Sequence, residues 1–384
     1  MKIRKLYIDP QVADYPETDE ISTRMNAGLT VVADPDETLR DIRNSKNPET
    51  EGKHCLFITC NKGPFIRKCP GTSHYTCCDY HILHVGAYCT MDCSYCILQA
   101  YFHPPVLTLF VNFREMTDQL ETLFSSGRLY RTGTGEFTDS LIWEPVYPLA
   151  SRLVTLFSGR NNAVLELKTK TVATQGLLGL DHRRNTIMSW SLNTEKAIRE
   201  QERGTASLDD RISAAAGCQS RGYPLGFHFD PMIWYPGCES DYARIARKLF
   251  RRIDPGSVVW ISMGSFRFMP RLQEIIERRH PRSEIVHGEF IRGPDGKMRY
   301  FKPLRIRLYR ALVEAIRKLA PDVTLYFCME DDEVWRKVLG YTPGQYGGLP
   351  SILNASTVRH CGLDPKRISE FPRNTVDTLP VPPV

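Results

Sequence analysis

One stretch constrains this chain more than any other: Gly86-Ala87-Tyr88-Cys89-Thr90-Met91-Asp92-Cys93-Ser94-Tyr95-Cys96-Ile97-Leu98-Gln99. Its three cysteines fall at the spacing Cys-x3-Cys-x2-Cys. The run Ile82-Leu83-His84-Val85 before it reads as a buried strand, and 97–102 after it reads as the start of a helix. Three thiolates on one tight loop can hold three irons of a four-iron cluster and leave the fourth iron open to a substrate or cofactor. Zinc usually takes four Cys or His ligands with two-residue gaps. Here the spacing is uneven and no matching Cys-x2-Cys follows, so the cluster is the preferred reading over zinc.

That loop needs a scaffold, and the chain is long enough to build one. Its 384 residues suit a large α/β domain or a domain with extensions, and 42% apolar content supplies a sizeable core. No run of 18 apolar residues is present, and Met1-Lys2-Ile3-Arg4-Lys5 has no apolar signal core. The expectation is a cytoplasmic protein without a membrane span. Twelve cysteines in such a chain argue for metal or redox chemistry over structural disulfides. The net charge of +6 suits a polyanionic partner. Of the two basic groups, Arg247, Lys248, Arg251 and Arg252 read as the solvated face of a helix. The second group is Arg299, Lys302, Arg305, Arg307 and Arg310.

Residues 1–50 are polar, with turn signals at Asp34-Pro35-Asp36-Glu37 and Ser45-Lys46-Asn47-Pro48, and read as an extension with one or two helices. Residues 54–80 carry Cys55, Cys60, Cys69, Cys77 and Cys78, with a turn at Cys69-Pro70-Gly71-Thr72. These thiols are candidates for a second metal, for redox chemistry, or for simple burial as small apolar groups.

From 81 onward strands and helices alternate. Strands are predicted at 81–87, 129–133, 164–170, 186–192, 225–229 and 258–263, with helices at 114–125, 148–157, 172–178, 208–220, 241–253 and 270–279. Six βα units in series predict a parallel sheet with right-handed crossovers, an open partial (β/α)6 barrel. Polar residues gather at the strand ends: Gly133, Thr134, Gly135 and Glu136 after the second, then Lys168 and Lys170, Ser191 and Asn193, His228 and Asp230, Ser262 and Ser265. Ligands sit at that edge of such barrels, and the three cysteines lie at the same edge of the first strand.

Residues 285–300 contain Gly293-Pro294-Asp295-Gly296 between two β-prone runs, a hairpin signal. Its second arm, Lys297-Met298-Arg299-Tyr300-Phe301-Lys302, interleaves cations with aromatics. A helix at 304–319, a strand at 323–329 and a helix at 332–339 make a further βα unit. The Gly- and Pro-rich tail from Thr342 is expected to run over the surface.

The three-cysteine motif with a tyrosine before its last cysteine, followed by a partial barrel, resembles the radical S-adenosylmethionine enzymes. Further motifs in order resemble the spore photoproduct lyase family: Cys69-Pro70-Gly71-Thr72, Tyr75-x-Cys77-Cys78, Gly226-Phe227-His228-Phe229-Asp230-Pro231, and 296–305 of the hairpin arm. The resemblance spans about residues 55–340. It implies a [4Fe-4S] cluster on Cys89, Cys93 and Cys96, with S-adenosyl-L-methionine on the open iron. It places the cofactor amine near Gly133, Thr134, Gly135 and Glu136, its carboxylate at Lys170 and its nucleoside near Ser191. It implies that Arg299, Tyr300 and Lys302 meet DNA, and that the lesion 5-thyminyl-5,6-dihydrothymine is split to two thymines by a 5′-deoxyadenosyl radical. Other readings of the residues stay open: a snorkelling surface role for Lys170, and an ordinary exposed hairpin at 285–300.

The chain departs from the family pattern in two places. No cysteine lies between Cys96 and Cys218, where some members carry the cysteine that returns the hydrogen atom, and Ile97 stands where some have tyrosine. Cys77, Cys78, Tyr95 and Tyr88 are the substitute donors to consider, with Tyr95, Cys77 and Cys78 named as the catalytic candidates. The expected organisation is an N-terminal extension over 1–80, the barrel over 81–284 and a hairpin with a C-terminal α/β extension over 285–384. The expected partners are photodamaged DNA and an electron donor such as ferredoxin or flavodoxin. The rival readings are another nucleic-acid or nucleotide substrate, or a non-catalytic metal-binding protein that binds nucleic acid.

Overall fold

Short apolar runs that close on small or polar residues become the strands of an eight-stranded sheet. The computed structural model describes residues 3–25, 29–71 and 74–368. Met1 and Lys2, Thr72 of the expected turn, and the tail beyond 368 lie outside the described residues. Seven strands run parallel in chain order: His81–Leu83, Tyr130–Gly133, Ala163–Thr169, Thr186–Ser191, Leu225–Met232, Val258–Ser265 and Leu325–Phe327. Ile66–Lys68 adds an antiparallel edge. Thr186–Ser191 and Val258–Ser265 are buried at every position, as parallel strands covered on both faces must be. The sheet stays an open, curled half-barrel in a mixed α/β fold.

The expected strands and most expected helices are present. Helices Phe113–Phe124, Leu149–Phe157, Leu208–Gln219, Cys238–Phe250 and Pro270–Arg279 flank the sheet. Their starts follow from capping chemistry: Ser207 accepts from the Asp210 amide at 3.1 Å, and Thr194 accepts from the Ala197 amide at 3.1 Å at the head of Glu195–Gln201. The helix expected at 172–178 is absent; 172–178 holds irregular chain and turns only. There the Thr169 and Thr171 hydroxyls accept from the Thr171 and Ala173 amides at 2.9 and 3.3 Å, taking donors that a helix would need. The solvated helix face holds: Lys248 pairs outward with Glu195 and Asp209 at 2.9 and 2.8 Å.

Three further expectations are corrected. The first predicted strand breaks after Leu83, because the Val85 amide turns back to the Leu83 carbonyl at 3.1 Å and Gly86–Ala87 pairs elsewhere. The N-terminal part is no mere helical extension. It builds a second, five-stranded sheet in the order Leu29–Val32, Lys5–Ile8, Cys55–Thr59, Leu107–Phe110, Gly86–Ala87, drawing strands from both sides of residue 80. The tail from Thr342 does not simply cover the surface: Leu349–His360 is a helix burying Leu349, Ile352 and Leu353, and its Ser356 hydroxyl donates to the Val259 carbonyl.

The hairpin is formed as expected, by Phe290–Arg292 and Met298–Tyr300, with Arg267–Phe268 as a third antiparallel strand. Among the described residues no helix is long and apolar enough to cross a membrane.

Candidate active site

The cysteine loop hangs between the two sheets, anchored at one end by Gly86–Ala87 and at the other by the short helix Leu98–Tyr101. Gly86 is required there, since a Cβ would stand 2.3 Å from the Thr108 carbonyl oxygen. Cys89 and Cys93 are buried, and Cys96 is partly exposed. Burial pushes the Cys89 thiol up to about 12 and the Cys93 thiol well above its ordinary value, while Lys53 acts to lower the first and Lys170 the second. The Met91 amide points at Cys89 Sγ at 3.4 Å. Among the described residues no group of three or more His, Cys, Asp or Glu side chains converges as a single ion requires. A four-iron cluster sets each thiolate on its own iron, so three thiols spaced along a loop fit it better than they fit one zinc.

The carbonyls of this loop are gripped from several sides. Gln99 Nε2 donates to the Cys93, Ser94 and Cys96 carbonyls at 3.2, 3.1 and 3.3 Å. Lys53 Nζ donates to the Cys89 carbonyl at 3.0 Å and to the Met91 carbonyl. Tyr88 is held at φ +67, its hydroxyl donating to the Glu49 carbonyl at 3.2 Å. Tyr95 donates its hydroxyl to Glu202, whose other oxygen pairs with Arg211 at 2.5 Å. Burial and Glu202 together raise the Tyr95 phenol well above its ordinary value. Lys170 stands 5.9 Å from the Tyr95 ring centre.

The segment after Tyr130–Gly133 bridges two halves of the site. At its far end Asp139 accepts from the Lys170 and Leu141 amides at 2.8 and 3.0 Å and from the Thr169 hydroxyl at 2.8 Å. Asp139 also acts on Cys89, which places the cluster loop beside it. At its near end Glu136 pairs with Lys168, and Thr134 donates to Ser140 at 2.8 Å. Gly133 and Gly135 leave no room for a side chain: a Cβ on the first would stand 1.8 Å from the Tyr80 hydroxyl, on the second 2.8 Å from Lys168 Cβ. Ser191 is buried, its carbonyl accepting from Arg211 at 2.8 Å.

Four thiols gather at the Glu136 end. Cys69 is raised to about 12 by burial and feels Glu136, Cys328 and Cys77. Cys78 feels Arg131, Cys328 and Cys69, and its carbonyl accepts from Arg131 of the second parallel strand. A hydrogen bond from Cys78 lowers the Cys77 thiol to about 6, with help from the Asp79 amide 3.4 Å from Cys77 Sγ. Cys78 is driven the opposite way, well above its ordinary value. Sequence reasoning left the reach of this pair open; the fold brings it to the rim formed by the second strand.

Beneath the rim lies a buried polar network; the sequence pointed to its His228, Asp230 and Ser262 but not to its centre, Glu166, or to Ser189, Trp260 and Arg267. Glu166 Oε1 accepts from Ser189, His228 and Trp260 at 2.6, 2.8 and 3.1 Å, and His228 Nδ1 meets Ser262 Oγ at 2.6 Å. Although burial alone raises the Glu166 carboxyl, His228 and the other donors hold it down at about 2. Asp230 and Arg267 pair through two contacts of 3.1 Å.

The hairpin residues are placed differently from expectation. Arg299 is buried, its guanidinium spent on Asp295, with one contact of 2.7 Å, and stacked 4.7 Å from the Tyr75 ring centre. Tyr300 is buried and accepts from the Trp234 amide at 3.2 Å. Lys302 is paired with Asp331 and Glu333 at 2.9 and 2.6 Å. These side chains therefore hold the hairpin to the body, and none of the three presents a free group to a phosphate. The hairpin exposes Ile291, Arg292 and Pro294, and Phe301 is exposed just after it.

With this geometry in hand, the chain can be set beside known proteins. A sequence profile described as Spore photoproduct lyase matches residues 2–303. A spore photoproduct lyase of Bacillus subtilis (strain 168) is 25% identical over 297 residues, covering 74% of this chain and 84% of that protein. One of Clostridium acetobutylicum is 22% identical over 254 residues, 64% and 73% of the two chains. Among solved structures, a spore photoproduct lyase mutant with bound AdoMet and dinucleoside spore photoproduct superposes with a TM-score of 0.73 at 21% identity, covering 85% of this chain and 99% of that one. The two share one fold.

Proposed function

Because the chain belongs to the spore photoproduct lyase family, we propose that it is a radical S-adenosylmethionine lyase that returns 5-thyminyl-5,6-dihydrothymine in DNA to two thymines. The three-cysteine loop beside Asp139 and the Lys170 backbone, inside the matched span, carries this reading. In it the curled sheet and its helices are the partial barrel of the radical S-adenosylmethionine type, six of whose parallel strands lie within the expected 81–284, with Ile66–Lys68 and Leu325–Phe327 added to the same sheet from the segments on either side.

Cys89, Cys93 and Cys96 are the residues that hold the [4Fe-4S] cluster. When bound, cluster and S-adenosyl-L-methionine together supply a 5′-deoxyadenosyl radical, using one electron from a donor such as ferredoxin or flavodoxin. The chain's own residues then bind and shield. Lys170 offers a cation to the cofactor carboxylate, Gly133, Thr134, Gly135 and Glu136 admit its amine, and Ser191 meets its nucleoside. The Cys77–Cys78 pair returns the hydrogen atom to the thymine, from Cys78, the thiol of the two that keeps its hydrogen at neutral pH, in place of the cysteine missing after Cys96. Tyr95, committed to Glu202, positions the loop. Arg299, Tyr300 and Lys302 set the shape of the hairpin, whose exposed Ile291 and Arg292, with Phe301 just after it, meet the duplex. An apolar wedge of that kind helps turn out a poorly stacked lesion. The cytoplasm suits free thiols and such a partner.

The test is incubation of the reconstituted, reduced protein with S-adenosyl-L-methionine and the dinucleotide photoproduct. Formation of 5′-deoxyadenosine with release of intact thymine dinucleotide is expected. No 5′-deoxyadenosine from iron-loaded protein overturns the enzyme reading. Its formation without repair moves the activity to another nucleic-acid or nucleotide substrate.

A further inference from the structure

Lys53 belongs to the helix Pro48–His54, outside every motif named above, and its side chain is 1% exposed. Burying an ammonium is costly unless it is hydrogen-bonded and paired. Lys53 spends its donors on the Cys89 carbonyl at 3.0 Å and the Met91 carbonyl, and lies 4.2 Å over the Tyr88 ring. Its nearest carboxylate, Asp92, is 3.8 Å away and is already held by Arg279 at 2.9 Å. Arg279, 6% exposed, comes from the helix Pro270–Arg279 on the other side and also donates to Gln99, the residue that ties three loop carbonyls. Two buried cations thus flank the loop with one carboxylate between them.

The position of Lys53 is built in. Its neighbour Gly52 has no side chain because a Cβ would stand 1.8 Å from the Pro105 carbonyl oxygen, so this helix can press close only with glycine there. Lys53 and Arg279 carry one positive charge more than Asp92, on the side of the loop away from Asp139, Glu202 and Lys170, which also act on Cys89 and Cys93. Three thiolates make a bound cluster anionic, and reduction of the cluster adds another negative charge. A nearby fixed cation favours the more negative state, and local charge is one of the levers that set cluster potentials.

We propose that Lys53 and Arg279 are positioning residues that clamp the three-cysteine loop and raise the reduction potential of the cluster it holds, an inference that rests on the cluster reading above. The experiment is a spectroscopic redox titration of the reconstituted full chain, with iron counted per chain and circular dichroism checking the fold. Lys53→Met is expected to keep its fold and shift the midpoint to more negative values. Arg279→Gln is expected to shift it in the same direction, and Lys53→Arg to stay close to the parent. Loaded Lys53→Met and Arg279→Gln with the parent midpoint overturn the proposal. If Lys53→Met loses iron while Lys53→Arg keeps it, the clamp is supported; if both lose iron, shape and not charge is at work and the proposal falls. A parent chain that takes up no iron overturns the cluster reading itself.

Discussion

Cys77 and Cys78 share a proton unequally, and their chemistry follows from that. Cys78 donates to Cys77, which lowers Cys77 to about 6 and raises Cys78 well above the ordinary thiol value. At neutral pH the pair therefore keeps its hydrogen on Cys78, and Cys77 is the nucleophile. The sign is clear: below about pH 6 Cys77 is a thiol, and above it a thiolate. Alkylation of Cys77 by iodoacetamide, followed by mass spectrometry, should rise through about pH 6 and level off by neutral pH. Cys69, held near 12, should stay unreactive across that range. Cys78→Ala should move the Cys77 midpoint upward, because its largest stabilising hydrogen bond is gone. A Cys77 profile centred on the ordinary thiol value would overturn the unequal sharing between the two thiols.

At the scale of elements, the hairpin shows how a correct prediction of structure can mislead about side chains. The Asp-Gly turn gave its position, and its cation–aromatic alternation suggested a DNA-facing arm. Alternation says that neighbouring side chains point to opposite faces, without saying which face is buried. The arm is the middle strand of its small sheet and is covered on both faces, so Arg299 and Tyr300 are buried on opposite sides of it. Arg299→Ala leaves Asp295, 2% exposed, with only Lys297 at 3.7 Å to pair with it, and should cost about 3 kcal/mol in urea unfolding, the low end of the range for breaking a buried pair. A cost near zero would restore the exposed-arginine reading.

Other elements were legible for simple reasons. Six parallel strands read as short apolar runs closing on polar residues, and the helices between them as periodic faces. Lys5–Ile8 alternates but is only four residues long, and Leu29–Val32 is as short, so their sheet was hidden. Gly347, Gly348 and Pro350 made the head of Leu349–His360 look like a loop, although its start is where glycine and proline are tolerated. The cluster loop was visible because cysteine spacing is a chemical signal. Lys53 was invisible because a lysine on a short polar helix looks like any surface lysine.

The whole molecule is pinned through Glu166 and His228, which join the third and fifth parallel strands inside the sheet. Glu166 is fully buried, and its carboxyl lies at about 2 when folded against an ordinary 4.5. A depressed carboxylate contributes stability that is complete above the unfolded value and is lost as pH falls through the folded one. The parent protein should therefore lose stability between about pH 4.5 and 2. Glu166→Gln should be less stable at neutral pH and show a flatter decline across that window in urea unfolding. Parallel pH profiles for the two proteins would remove Glu166 from this role.

The order of the parallel strands in space is their order in the chain, from His81–Leu83 to Leu325–Phe327. A chain emerging from the ribosome can therefore lay each new parallel strand against one already made, without waiting for a distant partner. Lys53 and Gln99 are synthesised early, but Arg279 appears only after Val258–Ser265 has been added. Until then the cysteine loop has one of its two buried cations, and the thiols stand beside an unfinished wall.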